Sequence, residues 1–180
     1  AAILGTIHAG AVAVPVSELA TTDDVQDYVL HAGAVVAITD GPHETVLDQI
    51  RNETPDLREV ICVGAKLPGS HDFWPLADAA QPQPAQPSGA EDVCLLLYSA
   101  GSGPGELRAV PHCTRTVRAA NDSFGKELLQ LSSADRILCV ARLSTAYGLG
   151  SGLFLPLAVQ AESLLSPAQP HSGPLFEALR

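Results

Sequence analysis

Short aliphatic runs alternate with segments of helical periodicity along this chain, and that alternation admits few folds. Residues 12–16, 34–39, 59–63, 92–97 and 136–140, with a shorter run at about 163–165, have strand length and are rich in Val, Ile, Leu and Ala. Between them lie helical patterns: residues 1–9, stopped by Gly10; a segment opened by Thr21 or Thr22 and closed by Gly33; residues 44–52; and about 114–129. The second of these carries its own punctuation. A threonine hydroxyl accepts an orphan amide at the helix start, and Asp23 and Asp24 set carboxylates against the positive end of the helix dipole. Val25, Tyr28, Val29 and Ala32 supply its apolar face. The connections are a few residues long, as α/β units prefer. The predicted fold class is therefore α/β: a layered, largely parallel sheet flanked by helices.

Residues 81–90, Gln-Pro-Gln-Pro-Ala-Gln-Pro-Ser-Gly-Ala, interrupt the rhythm. Proline fixes φ and lacks an amide donor, so neither a helix nor a central strand survives there. The stretch reads as an exposed loop dividing 1–80 from 91–180 within one larger domain, since neither half alone spells out a complete sheet. The chain begins without Met, already in helical pattern, and stops at Arg180 with no terminating signal, so it is expected to be a piece of a longer protein.

Composition removes several classes of function. With 46% hydrophobic residues in 180 the chain can bury a core, and disorder is not expected. The formal charge is −10, from 20 acidic and 10 basic residues, which denies it the basic footprint of a nucleic-acid binder. Cys62, Cys94, Cys113 and Cys139 form no C-x-x-C pair, so no metal site is assigned and the four read as reduced core thiols. No apolar segment reaches membrane-spanning length without interruption, and no signal-like start opens the chain. A cytoplasmic location without membrane partners is expected.

The segment Tyr98-Ser99-Ala100-Gly101-Ser102-Gly103-Pro104-Gly105-Glu106-Leu107-Arg108 is dense in small residues that leave backbone amides bare. It lacks the Gly-Lys pair of a Walker loop. Its glycines are spaced by two, which a dinucleotide fingerprint does not allow, and the flanks of Ser102 do not make a nucleophile elbow. A fourth pattern fits better. The segment resembles the phosphate loop of the adenylate-forming superfamily, the AMP-producing acyl- and aryl-CoA ligases, with signature [YT]-S-[SG]-G-[ST]-T-G-x-P-K-G-V-x-H. Tyr98, Ser99, Gly101 and Ser102 match directly; with one residue inserted near Pro104, Gly105, Arg108, Ala109, Val110 and His112 take the later positions. Residues 4–16, a helix ending in Ala9-Gly10 before Val12-Ala13-Val14-Pro15, are similar to the family's upstream stretch. Residues 141–157, with Ala146-Tyr147-Gly148-Leu149-Gly150, are similar to the family's substrate-lining segment in its benzoate-CoA ligase form.

The resemblance implies that the chain is a fragment of the large N-terminal domain of such a ligase. The parent would activate an aryl or acyl acid with ATP to an acyl-adenylate and pass it to CoA, with Mg²⁺ offsetting the phosphate charge. Ser99, Gly101, Ser102, Gly103, Gly105 and Arg108 would bind the phosphates, and Ala146, Tyr147 and Gly148 would line the acid pocket. A small carboxylic acid is the implied partner. No catalytic residue is assigned: Lys66 and Lys126 do not stand where the family's catalytic lysine belongs, and the fragment alone is expected to be inactive. Apolar surface normally covered by the rest of the parent would favour a homodimer.

The sequence departs from the signature at Gly103, where the family has Thr, and at Leu107-Arg108-Ala109, where it has Pro-Lys-Gly. These departures motivate an alternative, a noncatalytic adenylation-like binding module with a degenerate phosphate loop; a separate third reading is a nucleotide-binding α/β domain of unrelated family. YSAGSGPGELR also reads as a surface turn between a strand and a helix. Tyr147 reads equally as pocket wall or as a partly buried aromatic with its hydroxyl paired. His112 matches a family position and equally suits a polar helix start. His8, His31, His43 and His71 read as solvent-facing or helix-end residues.

Overall fold

The computed structural model describes residues 1–64, 68–100 and 107–165. The chain forms two units, one from Ala1–Gly5 with Glu18–Gln86, the other from Thr6–Ser17 with the chain from Pro87 onward. The division falls inside residues 81–90, which are exposed throughout.

Helix α1 (Ala2–His8) is shared by the two units, dividing after Gly5; the first unit continues through α2 (Thr22–Ala32), strand β1 (Val36–Asp40), α3 (Gly41–Ile50), β2 (Glu59–Val63), β3 (His71–Asp72) and α4 (Phe73–Ala79). The start of α2 is a reciprocal cap. The Thr21 hydroxyl accepts from the Asp24 amide at 3.2 Å, and the Thr21 amide donates to Asp24 Oδ2 at 2.8 Å. That backbone donor, joined by the Thr21 hydroxyl, holds the Asp24 carboxyl below the usual range. Gly33 ends the helix at φ 59°, a left-handed conformation that glycine adopts without strain. The three strands pair in parallel in the order β1-β2-β3, with Val36 opposite Glu59 and Ile61 opposite His71. Leu47 and Ile50 of α3 bury against Val60, with Val25, Val29, Ala37 and Leu57 packed around them.

Asp40 caps α3 and also engages a histidine. Its Oδ1 accepts from the His43 amide at 3.3 Å and meets His43 Nδ1 at 2.5 Å, while His43 Nε2 faces the Glu18 carbonyl at 3.3 Å. Both ring nitrogens thus point at acceptors, an arrangement only the imidazolium satisfies, and the Asp40 hydrogen bond raises the His43 pKa. A raised folded value stabilises the protein fully below the ordinary imidazole value of about 6.5 and loses that contribution as pH climbs through the raised value. Stability should therefore fall across neutral pH. In Asp40→Asn, which keeps a capping oxygen but removes the charge, chemical denaturation between pH 5.5 and 8.5 is expected to show a flatter profile.

The second unit holds β4 (Val93–Ala100), β5 (Leu107–Cys113), α5 (Thr114–Ala120), a π-helical stretch (Asn121–Leu128), β6 (Arg136–Cys139), α6 (Ala146–Leu149), a second π-helical stretch (Gly150–Phe154), α7 (Leu155–Val159) and β7 (Glu162–Leu165). β6 and β7 pair in parallel; β4 and β5 are antiparallel. The mixed α/β architecture has parallel pairing everywhere but in that hairpin, among the described residues.

Several local expectations are corrected. The strand expected at 12–16 reduces to a single parallel bridge, Ala13 to Leu95, with Ala13 N–H donating to Cys94 O at 3.0 Å and Leu96 N–H to Ala13 O at 2.9 Å. In a parallel ladder the next donor toward the same neighbour comes two residues on, at Pro15, which has none. The helix expected at 114–129 widens at Asn121 into π geometry. Residues 146–157, a glycine-rich segment in the sequence, lie within a helical run, 146–159, that has no break. β3, α4 and β5 were not expected at all. All four cysteines are free thiols; Cys62, Cys113 and Cys139 are buried, and burial, then the Glu44 carboxylate, pushes the Cys62 thiol up.

Candidate functional site

The glycine-rich segment joins two strands, not a strand and a helix. Leu95 and Leu97 of β4 are buried, and β5 pairs with it from Val93 opposite Cys113 to Ala100 opposite Leu107, with one bulge between Val93 and Leu95. The rung nearest the turn that carries polar side chains on both strands is Ser99 opposite Arg108. Directly opposed residues project to one face of a hairpin, so a hydroxyl and a guanidinium share that face, and both residues are exposed. Arg108 forms no ion pair among the described residues. Gly101, Ser102, Gly103 and Gly105 lie outside the described residues. His112 sits on β5, not at a helix start: α5 begins at Thr114.

The far end of β5 is fixed. The Thr116 hydroxyl accepts from Cys113 N–H at 3.1 Å and donates to Cys113 O at 2.8 Å, which folds the strand into α5. Arg115 grips both carboxylate oxygens of Glu91, through Nε and, at 3.0 Å, through Nη2, and its amide donates to Ala90 O at 2.9 Å. The guanidinium holds the Glu91 carboxyl below the usual range.

The other candidate residues form one helical turn. Thr145 caps α6: its hydroxyl accepts from Gly148 N–H at 3.0 Å and donates to Arg142 O at 2.8 Å. Ala146 and Tyr147 are exposed, Tyr147 to 71%, so the partly buried reading of that ring does not hold in this structure. Gly148 is buried, and no side chain fits there; a Cβ would lie 2.0 Å from Arg142 O. The Arg142 carbonyl is thus pressed against the turn it helps to cap. Beneath the turn lie Cys139 at the end of β6 and Ser151, whose hydroxyl donates to Tyr147 O at 2.7 Å. Sequence reasoning singled out neither Cys139 nor Ser151 for this site. The signal for Thr145 was present, a threonine directly before a helix and three residues ahead of the amide it caps.

The donor set at the hairpin suits an anion. A guanidinium and a hydroxyl on one face can both donate to the oxygens of an anion. No group of three or more His, Cys, Asp or Glu residues that could hold a metal ion occurs among the described residues, so no residue is assigned to Mg²⁺. No helix among them is long and apolar enough to cross a membrane.

The chain belongs to the AMP-binding enzyme family, which matches residues 1–180. It is similar to benzoate–CoA ligase of Thauera aromatica, 28% identical over 177 residues, which make up 98% of this chain and 33% of that protein. It is also similar to 4-hydroxybenzoate–CoA/benzoate–CoA ligase of Rhodopseudomonas palustris, 27% identical over 98% of this chain and 32% of that protein. Among solved structures, a benzoate CoA ligase from Burkholderia xenovorans LB400 superposes with TM-score 0.81 at 28% identity, covering 99% of this chain and 34% of its own. The anthranilate CoA ligase AuaEII, in complex with anthranoyl-AMP, gives TM-score 0.91 at 24% identity over 97% of this chain and 34% of its own, a likeness of fold. The chain spans about a third of the length of the curated relatives it matches.

Proposed function

We propose that this chain is part of the N-terminal domain of an AMP-forming ligase that activates an aromatic carboxylic acid with ATP and transfers it to CoA. The observation that carries this reading is the match of the whole chain to the AMP-binding family, with benzoate–CoA ligases among its relatives. Ser99 and Arg108 would hold β- and γ-phosphate oxygens, joined by the amides of Gly101, Ser102, Gly103 and Gly105. Mg²⁺ would travel with the triphosphate and offset its charge. The exposed ring of Tyr147, with Ala146 beside it and Gly148 closing the turn against the Arg142 carbonyl, would form one wall for the acid. CoA would be engaged by parts of the parent outside these residues.

The test is acid-dependent pyrophosphate exchange by the full-length parent. Exchange that requires benzoate or a substituted benzoate supports the ligase. Its absence with every acid, in a protein that still binds ATP, favours a noncatalytic adenylation-like module, the reading to which Gly103 and Leu107-Arg108-Ala109 point. Taken alone, the 180-residue chain is expected to show no micromolar Mg-ATP binding in isothermal titration. Val36 and Ile38 stand exposed on one face of β1, and parallel sheets are normally covered on both faces, so the isolated chain should also self-associate in sedimentation experiments.

A further inference from the structure

The Cys139 thiol, 4% exposed, lies under the first turns of the helix that presents Tyr147. Its sulfur is 3.4 Å from Ala141 O, 3.6 Å from Gly148 O and 3.5 Å from Ser151 Oγ. The Ser151 proton is committed to Tyr147 O at 2.7 Å, which leaves that oxygen free to accept. The single thiol proton therefore faces three acceptors: the strand exit, the glycine turn and the serine that holds the tyrosine backbone. Contact is tight on the same side. A Cβ at Gly152 would stand 2.9 Å from Cys139 Sγ and 3.1 Å from its Cβ, so the helix rests directly on this side chain. The helix is in π register here, with Leu155 N–H donating to Gly150 O, a local widening of a kind frequent at functional sites.

We propose that Cys139, acting through Ser151, is a positioning residue that sets where Tyr147 stands and thereby the affinity for the carboxylic acid. This rests on the reading of Ala146, Tyr147 and Gly148 as the acid wall. The thiol touches no reacting atom. Its effect is transmitted along Cys139 Sγ, Ser151 Oγ and Tyr147 O, and it falls on acid binding without reaching the hairpin that would hold the phosphates.

The experiment uses the full-length parent and pyrophosphate exchange, varying benzoate at saturating ATP and then ATP at saturating benzoate. Cys139→Val removes the thiol proton and replaces the sulfur with two methyl groups. It is expected to raise KM for the acid about tenfold while KM for ATP stays within about twofold. Cys139→Ser, which keeps a donor at the same place, should recover most of that affinity. Ser151→Ala should shift the acid KM in the same direction as Cys139→Val, and it decides the matter if the valine variant does not fold. Unmoved acid affinity in a folded Cys139→Val, or acid and ATP constants rising together, overturns the proposal while the ligase reading stands. Wild-type exchange that ignores the acid altogether overturns both.

Discussion

Gly148→Ala is expected to lower the stability of the second unit by about 3 kcal/mol or more, because the added carbon has nowhere to go. Its nearest neighbours are Arg142 O at 2.0 Å, Arg142 C at 2.6 Å and Ala141 C at 3.0 Å, all backbone. A flexible side chain can rotate away from such a clash; a carbonyl tied to Thr145 by its amide at 3.0 Å and its hydroxyl at 2.8 Å cannot move without breaking the cap. Gly150→Ala, two residues on, supplies the control. Nothing lies within 4 Å of its Cβ position and its φ is −60°. Alanine there should stabilise by up to about 1 kcal/mol through backbone entropy. Guanidinium denaturation followed by circular dichroism should move the two midpoints in opposite directions. Equal midpoints would show that the Arg142 turn gives way freely.

Arg108→Ala in the full-length parent is expected to reduce acid-dependent pyrophosphate exchange by about a hundredfold, the usual loss when one preorganised partner of a developing negative charge is removed. The reason is its place on the rung with Ser99, exposed, and with no ion pair among the described residues to compete for its charge. Arg108→Lys should retain a substantial part of the rate, since the charge persists while the planar fork is lost. Ser99→Ala should cost less than Arg108→Ala because it removes a neutral donor. An exchange rate unchanged in Arg108→Ala would place the phosphates elsewhere and refute the alignment of this arginine with the family's lysine.

Much of the first unit was legible because local chemistry and tertiary packing agree there. Thr21, Asp24 and Gly33 spell out α2 before any contact is considered, and 60–63 is apolar and mostly β-branched. β5 was hidden for the opposite reason. Leu-Arg-Ala-Val-Pro-His-Cys shows no regular alternation of apolar and polar residues and contains Pro111, a residue that argues against a strand until its neighbour is known. α4 was hidden by Pro75, which sits early enough in the helix to be tolerated, behind Asp72, whose carboxylate accepts from Trp74 N–H. Within the candidate site, Gly148 was named as a small residue leaving room for a ring, whereas the structure shows it admitting a carbonyl. Cys139 and Ser151 gave no signal, since nothing in a sequence shows that residues twelve apart meet beneath a turn.

Ala13 has its hydrogen-bond partners at Cys94 and Leu96, so the polypeptide visits the second unit, leaves to build the first, and returns. A protease that severs the exposed proline-rich stretch would consequently leave two pieces laced together, the amino-terminal product still supplying backbone to the sheet of the other. The same threading delays assembly: a rung that joins positions 13 and 95 closes only after the whole intervening length has been synthesised, which ranks it among the late events of folding.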